Sequence, residues 1–521
     1  MAEEIIEEEN QYYPKNPWLS ASAVLLAVFI FVLDGTIANV ALPHMAGSFS
    51  VTRDESIWIL TSYLIASGIV IPAVDWFSKV FGRKNFFIIS ILLFTVASLL
   101  CGLANSLLTM VLARILQGFG GGGIVPISQA IMLESFPKKD RAKAMAVFGM
   151  GIIIAPIVGP VLGGWITDNW TWPWIYFINV PFGCIAVIMC KKMLFDPPYA
   201  RRQKGVKIDA LGFFLLIIWI MCLQIVLDKG NNADWFNAPW ICWMFGISCV
   251  AGILFFISQI VRKDTLIDLS VFKDMNFLAG TAIQVVIQAV LYASIAILPQ
   301  FLQSMMGYTA FLSGYSMMPR GLGSMLSMII VANVSNKVSN RLLVMIGLIL
   351  IGSGGLVLGF LNLQISSMNI MIPNFMMGMG MGLAMVPIIN LSVDTLRNDQ
   401  MTNASGIQNL LKTIGGAIGT SLVATMISRF SQIHQYMLVG NLTELNTVYL
   451  EKLQGIAGVL SQHVEYSVAN YMGQTMLYKQ LIQQSTLWAF MDSFRIFGLM
   501  CFIIIPLLLF IKSNKSLYEK K

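Results

Sequence analysis

Charged side chains are scarce in this sequence. Asp, Glu, Lys and Arg make up 11% of its 521 residues and hydrophobic residues make up 57%, whereas a soluble domain carries about 25% charged residues. This deficit argues against a soluble enzyme and against a disordered chain. The net charge of +7 does not indicate nucleic-acid binding, because a basic groove needs Lys and Arg clustered on a soluble face. The composition predicts a polytopic helical membrane protein.

The motifs of common catalytic and metal sites are also missing. The sequence has no Gly-x4-Gly-Lys-[Ser/Thr] phosphate loop, no Gly-x-Ser-x-Gly elbow and no His/Cys/carboxylate cluster with ligand spacing, which argues against an ATP-driven pump, a hydrolase and a metalloenzyme. All seven cysteines fall in apolar stretches, where we expect small packing residues rather than disulfides. The sequence predicts neither an enzyme nor a cofactor or metal site. Of the functions considered, a membrane enzyme or channel is the least favoured.

Fourteen apolar stretches are long enough to cross a bilayer as helices, in which the backbone satisfies its own hydrogen bonds. They lie at 19–43, 56–74, 85–104, 107–133, 141–167, 173–194, 209–228, 239–261, 277–303, 311–333, 341–363, 369–393, 401–429 and 488–512. The acidic start and the long second stretch argue against a cleaved signal peptide. With the N-terminus in the cytoplasm, 24 of the 33 Lys and Arg residues lie on that side and five on the other. Cytoplasmic loops are rich in these cations, so both termini are predicted to be cytoplasmic.

The two halves of the chain share features at corresponding places. A basic loop at 79–84 is matched by one at 336–341, and a glycine-rich segment at 117–123 is matched by one at 378–382. Secondary transporters are commonly built from such repeats, with a binding site between them. We therefore predict an all-α membrane protein with two six-helix bundles, 1–195 and 266–521. A cytoplasmic linker and two extra helices occupy 196–265, and an external loop, 430–487, belongs to the second bundle.

Several motifs occur in an order that is typical of one family. They lie at 33–43, 114–118, 155–164, 174–183, 268–273, 298–300 and 307–310. On these residues the chain resembles the fourteen-span drug:proton antiporter group of the major facilitator superfamily, and within it the EmrB-like exporters. The resemblance covers nearly the whole chain. It implies the major facilitator fold with two extra helices, fourteen in all.

Two charged residues inside the apolar stretches are candidates for proton coupling. A charge at the bilayer centre costs roughly 2.5–3.5 kcal/mol on insertion scales, so it is kept where it faces a partner or a cavity. Asp34 lies near the middle of the first stretch, and Arg114 lies in the fourth. The resemblance supports Asp34 as the proton carrier and places Arg114 near the proton path. The alternatives are a permanently charged structural carboxylate and an arginine capped by helix carbonyls.

Five further residues are expected to line a substrate cavity. They are Asn39, Gln284, Gln288, Arg320 and Lys412. Gln284 and Gln288 lie one helical turn apart and share a face. A cation at Arg320 or Lys412 could replace a released proton or bind an anionic substrate, and each could equally be a packing charge.

The fifth stretch matches the antiporter motif of the family, with Ala155 in place of a usual glycine. The motif residues are Pro156, Gly159, Pro160, Gly163 and Gly164. The prolines remove two backbone donors, and the glycines let another helix approach closely. The resemblance implies a seal against proton leak, and we expect the motif to contact the second half.

The loop after the second stretch departs from the family pattern. Its motif residues are Asp75, Lys79, Gly82, Arg83 and Lys84. Asp75 stands at a usual glycine position and Lys79 at a usual aspartate position, so the charge pairing that the motif makes between halves does not follow from this sequence. Glu134, at the inner end of the fourth stretch, is expected to be an interfacial anchor.

The resemblance implies proton-driven export (drug:H+ antiport) of hydrophobic or amphipathic toxic compounds across the bacterial inner membrane, by alternating access. It also implies a tripartite efflux pump, in which an EmrA-like periplasmic adaptor docks on 430–487 and feeds a TolC-like outer-membrane channel. Apolar residues at 450–460 fit an amphipathic helix within that segment, and a solvated loop is the alternative. The alternative function is export of one physiological metabolite or lipid by the same fold.

Overall fold

The computed structural model describes residues 16–137, 140–197, 200–202, 209–262, 265–308, 310–335, 337–363 and 365–511. The regular structure within these ranges is helical. The helices of the first half are α1 (Pro17–Phe49), α2 (Arg53–Ser56), α3 (Trp58–Phe81), α4 (Arg83–Gly102), α5 (Leu107–Gly121), α6 (Ile124–Ser135), α7 (Arg141–Asn169), α8 (Trp174–Phe177) and α9 (Asn179–Met193).

Two helices follow as an antiparallel pair, α10 (Ala210–Lys229) and α11 (Pro239–Val261). The helices of the second half are α12 (Met275–Ser304), α13 (Ala310–Val334), α14 (Asn340–Leu358), α15 (Ser367–Val393), α16 (Met401–Val439), α17 (Thr447–Leu460) and α18 (Tyr466–Ile503). The described side chains do not include those of Asn39, Pro156 and Pro160.

Thirteen helical segments in the described ranges are long and apolar enough to cross a membrane. The predicted fifth stretch coincides with α7, a 29-residue helix that is not among the thirteen. Fourteen crossings and the orientation of the termini therefore stay predictions. We call the end of the molecule at which α3, α6 and α9 finish the basic end, because Lys79, Arg83 and Lys191 lie there. The opposite end, which carries α17, is the hairpin end.

The predicted external loop is largely helical. α16 has 39 residues and α18 has 38, so each is about 57–58 Å long at 1.5 Å per residue, far more than the bilayer core of about 30 Å. Gln435 Nε2 donates to the Tyr478 hydroxyl at 2.9 Å, which holds the two extensions together. α17 packs against α18, where Leu453 lies against Gly473. The predicted amphipathic helix at 450–460 is confirmed.

The buried apolar residues form three cores of unequal size. The largest contains residues from both halves, and its members include Ile71 and Ile131 of the first half and Met328 and Ile407 of the second. The other two each belong to one half. The shared core lies toward the basic end and the core of the first half toward the hairpin end, whereas the core of the second half runs along its whole length, from Leu508 and Ile511 to Leu302. The halves are thus packed together at the basic end and form separate bundles at the other.

The turn between α10 and α11 bridges the halves at the hairpin end. The Thr61 hydroxyl of α3 donates to Asp228 Oδ2 at 2.9 Å. On the other side, Trp235 Nε1 donates to Thr425 Oγ1 of α16 at 2.9 Å, and Arg429 pairs with Asp234. Hydrogen bonding from Asn237 and the charge of Arg429 lower the pKa of Asp234, so this carboxylate stays ionised at neutral pH. The two extra helices are therefore attached to both halves.

Candidate functional site

A buried ion pair joins the two candidate proton-coupling residues. Asp34 lies in α1 and Arg114 in α5, and both side chains are fully buried. Arg114 Nη1 donates to Asp34 Oδ2 at 2.7 Å. The guanidinium also donates from Nε to the Ile59 carbonyl oxygen at 3.1 Å and lies 4.3 Å from the centroid of the Tyr63 ring. The sequence pointed to both residues, and the structure brings them together.

Two amide side chains complete the surroundings of the Asp34 carboxylate. Gln117 Nε2 donates to Asp34 Oδ1 at 2.9 Å, and Asn179 Nδ2 donates to the same oxygen at 2.7 Å. Both amides also contact the Ser98 hydroxyl, at 2.6 and 3.0 Å. Sequence reasoning placed Gln117 and Asn179 in motifs but gave them no role. The available signal was the spacing of Arg114 and Gln117, which puts them on one helix face.

This arrangement can couple a proton to helix packing. A buried ion pair holds together only while both partners are charged and hydrogen-bonded. A proton on Asp34 would remove its charge attraction to Arg114, whereas Gln117 and Asn179 could still hydrogen-bond the acid. The side chains around this carboxylate come from α1, α4, α5 and α9. Protonation of Asp34 would therefore change contacts among four helices of the first half.

A ladder of buried amide and hydroxyl groups joins the two halves toward the basic end. Gln129 Nε2 of α6 donates to Gln408 Oε1 of α16 at 3.0 Å, and Asn409 Nδ2 donates to Gln129 Oε1 at 3.0 Å. Gln408 Nε2 then donates to Ser392 Oγ at 2.7 Å, and Gln284 Nε2 reaches the same oxygen at 3.2 Å. All five side chains are buried. The two hydrogen bonds of Gln129 cross between the halves, so separation of the halves here would break them and admit water.

The other residues predicted to line a substrate cavity do not form one cluster. Gln288 is half-buried in α12 and hydrogen-bonds Tyr292. Lys412 is half-buried in α16, and Arg320 is buried inside the second half. The side chain of Asn39 lies outside the described ones. A single shared cavity therefore stays a prediction.

Comparison with known proteins decides the family. Residues 24–420 match the sequence profile of the Major Facilitator Superfamily. The chain belongs to the major facilitator superfamily. It is 33% identical over 431 residues to the multidrug export protein EmrB of Haemophilus influenzae, which covers 82% of this chain and 83% of that protein.

A second relative is named for resistance to fatty acids. The fatty acid resistance protein FarB of Neisseria gonorrhoeae is 32% identical over 446 residues, covering 85% of this chain and 86% of that protein. The fold is similar to the crystal structure of the human organic anion transporter MFSD10 (TETRAN), with a TM-score of 0.62 and 12% identity over 95% of this chain and 99% of that one. The chain is thus a multi-pass membrane transporter related to multidrug and fatty-acid exporters, and it is not an enzyme.

The antiporter motif of this major facilitator protein packs within its own half. A Cβ at Gly159 would collide with Thr36, and one at Gly163 would lie 2.7 Å from Ile37, so these glycines let α7 lie close to α1. This differs from the expected contact with the second half. The helix makes that contact nearer the basic end, where a Cβ at Gly149 would lie 2.6 Å from Met328.

Among the described motif residues, Gly164 adds no contact of this kind. A Cβ at Gly164 would meet no atom within 4 Å. α7 runs without interruption through Pro156 and Pro160, whose side chains lie outside the described ones. Of the motif residues with described side-chain positions, Gly159 and Gly163, one helical turn apart, allow the close approach of α7 to α1.

The loop motif of the family forms ion pairs within the first half. Lys79 Nζ lies 2.6 Å from Asp75 Oδ2, one turn away on α3. Arg83 Nη1 lies 2.5 Å from Glu134 Oε2 of α6, and both side chains are about 4% exposed. Glu134 is therefore a buried partner of Arg83 rather than the interfacial anchor that the sequence suggested. The pairing is possible because α6 ends beside the start of α4 at the basic end.

The turn that carries this motif is tied to the end of α9. Gly82 has a φ of +84°, a backbone conformation that glycine adopts without strain. The Lys84 backbone N–H donates to Asp196 Oδ1 at 3.0 Å, and Lys84 Nζ donates to the Lys191 carbonyl oxygen at 2.8 Å. Burial raises the pKa of the Asp196 carboxyl, and the charge of Arg83 opposes that rise.

Proposed function

We propose that this transporter exports hydrophobic and amphipathic toxic compounds in exchange for protons across the bacterial cytoplasmic membrane. The observation that carries the proposal is the buried Asp34–Arg114 pair. A carboxylate held by one guanidinium and two amides can take and release a proton without losing all of its hydrogen bonds. The similarity to the multidrug exporter EmrB supports a drug as the exchanged substrate.

The proposed cycle uses the two ends of the molecule in turn. The basic end faces the cytoplasm and the hairpin end faces outward, in keeping with the distribution of Lys and Arg. A proton from outside neutralises Asp34 and frees Arg114, which alters the packing of α1 against α5. The amide ladder then separates, the basic end opens, and drug enters as the proton leaves to the cytoplasm. No energy source besides the proton gradient is needed.

We further propose that the projecting helices α16 to α18 dock an EmrA-like adaptor, which connects the pump to a TolC-like outer-membrane channel. Large apolar side chains are exposed there, including Tyr436 at 83%, Leu445 at 95% and Tyr471 at 71%. These residues lie beyond the length that a bilayer can cover, and exposed apolar patches outside lipid mark protein contacts. This surface supports a partner with an apolar docking face.

The test is drug-stimulated proton movement in proteoliposomes that contain this chain alone. We expect wild-type protein to move protons when tetraphenylphosphonium is added across a pH gradient. Asp34→Asn should reduce this signal to background, because the amide cannot carry the proton. Asp394→Asn, a change to a carboxylate at the end of α15 that lies outside the site, should leave the signal intact. Wild-type rates in Asp34→Asn would exclude this residue as the carrier.

The second candidate function is export of one physiological amphiphile, such as a fatty acid. The name of the relative FarB favours this class. A panel of drugs and fatty acids in the same proteoliposomes separates the two functions. Stimulation by several unrelated drugs supports multidrug export, whereas stimulation by one class of lipid supports the narrower function.

A further inference from the structure

Two tyrosine rings lie against the buried guanidinium of Arg114. The guanidinium carbon lies over the Tyr63 ring, 4.3 Å from its centroid, and over the Tyr176 ring, 5.5 Å from its centroid. Tyr63 belongs to α3 and Tyr176 to α8, and both side chains are buried. A cation within about 6 Å of an aromatic centroid is attracted to the electron-rich face of the ring. We call Tyr63 and Tyr176 the aromatic seat of Arg114.

The hydroxyl groups of the aromatic seat have weak partners or none. The Tyr63 hydroxyl is buried and makes no hydrogen bond within the described ranges. The Tyr176 hydroxyl donates at 3.6 Å to Met45 Sδ, which is a weak acceptor. A buried tyrosine hydroxyl usually has a good hydrogen-bond partner. The contact that the two tyrosines share is therefore that of their rings with Arg114.

The other contacts of the guanidinium, apart from Asp34, are neutral. Nη1 also donates to Gln117 Oε1 at 2.6 Å, Nε donates to the Ile59 carbonyl oxygen, and Nη2 is buried without a hydrogen bond in the described part of the chain. The titratable side chains that face Arg114 and Tyr63 are Asp34, Cys101, Tyr176 and, from α12 of the second half, Tyr292. Asp34 is the only carboxylate among them. Once Asp34 binds a proton, the described groups that still stabilise the positive charge are the two rings and these neutral dipoles.

We propose that Tyr63 and Tyr176 position Arg114 while Asp34 is neutral, and that they thereby favour protonation of Asp34. With Asp34 ionised, the site has no net charge, and the carboxylate cancels much of the field of the guanidinium. With Asp34 protonated, a net positive charge is left in a buried place, where attraction to a ring face is strongest because water is absent. This inference rests on the proposed role of Asp34 as the proton carrier and assigns two further positioning residues to that role.

Stepwise fluorination of the Tyr63 ring tests this role with little change in side-chain size. Tyr63→Phe removes only the hydroxyl, so we expect its proton exchange to be close to that of the wild type. Phenylalanine with one, two or three ring fluorines at this position has a progressively weaker ring face. In the proteoliposome assay with tetraphenylphosphonium, we expect the pH of half-maximal exchange to fall with each fluorine, by about one unit in total. The reason is that a weaker ring face leaves the protonated state less stable. Equal midpoints across the series would overturn the proposal.

Melting temperatures of the purified protein test the aromatic seat without transport. We expect Tyr63→Leu to lower the melting temperature by about 2 °C more in an Asp34→Asn background, where Arg114 has no counter-charge, than in the wild type. Tyr63→Phe should lower it equally in both backgrounds, as should the control Tyr315→Leu at an exposed tyrosine of α13. Equal losses from Tyr63→Leu in both backgrounds would overturn the proposal. Wild-type proton exchange in Asp34→Asn, with the melting difference intact, would exclude the carrier and not the aromatic seat.

Discussion

At the scale of single residues, the two halves differ in their buried charge. The first half holds Asp34 and Arg114 as a neutral pair at 2.7 Å, supported by Gln117 and Asn179. The second half holds Arg320 with a hydroxyl and a thioether as its hydrogen-bond partners. The buried arginine of the first half is thus paired with a carboxylate, whereas the described partners of Arg320 in the second half are neutral.

The buried pair predicts a specific pattern of thermal stability. Asp34→Asn leaves Arg114 charged and unpaired, which costs about 3–5 kcal/mol where a buried pair is broken. The double variant Asp34→Asn/Arg114→Gln removes both charges, and we expect it to recover most of the melting temperature of the purified protein. It should not recover proton exchange. Additive losses in the double variant would contradict the ion pair as the source of the effect.

The sequence predicted the charged members of this site but not the neutral ones. Asp34 and Arg114 were identifiable because a charge in an apolar stretch is costly and therefore has a reason to be there. Gln117, Asn179 and Ser98 carry no such cost, and amides and hydroxyls occur in many membrane helices. Their role depends on contacts between helices that are far apart in the sequence. Only the fold shows that α4, α5 and α9 bring them to Asp34.

At the scale of helices, hydropathy predicted which segments form long apolar helices better than where those helices end. The predicted first stretch is 19–43, whereas α1 runs over Pro17–Phe49. The predicted fourth stretch is interrupted at Gly122 and Gly123, between α5 and α6. Hydropathy reports contact with lipid, whereas a helix continues as long as its backbone hydrogen bonds are favourable. The extensions of α16 and α18 into the predicted loop have the same cause.

The amide ladder between α6 and α16 predicts that the basic end must open during transport. Gln129→Cys and Gln408→Cys, made after the exposed Cys184, Cys242 and Cys249 are replaced by Ala, allow a short bifunctional methanethiosulfonate to link the halves. We expect cross-linking to reduce proteoliposome transport to background and a reductant to restore it. Each single cysteine variant treated in the same way is the control. Full transport after complete cross-linking would show that this contact persists through the cycle.

At the scale of the whole molecule, the cores describe a conformation that is closed at one end. The largest apolar core joins both halves toward the basic end, and the halves have separate cores toward the hairpin end. The α10–α11 turn still connects α3 to α16 at the hairpin end. This arrangement could not be predicted from the sequence, because both states of an alternating-access cycle bury nearly the same residues and differ only in contacts between the halves.

The projecting hairpin predicts that docking and transport are separable. Replacement of 440–464 by a short Gly-Ser linker removes α17, and Gln435 and Tyr478 still hold α16 to α18. Because these residues lie outside the bilayer, we expect tetraphenylphosphonium binding and proteoliposome transport to be unchanged. Resistance should fall to that of the empty vector in a host with an outer membrane, since drug would be released into the periplasm. Tyr436→Ser/Tyr471→Ser, which keeps α17, should weaken resistance in the same host. If both variants protect cells as well as wild type, α16 to α18 are not the adaptor surface.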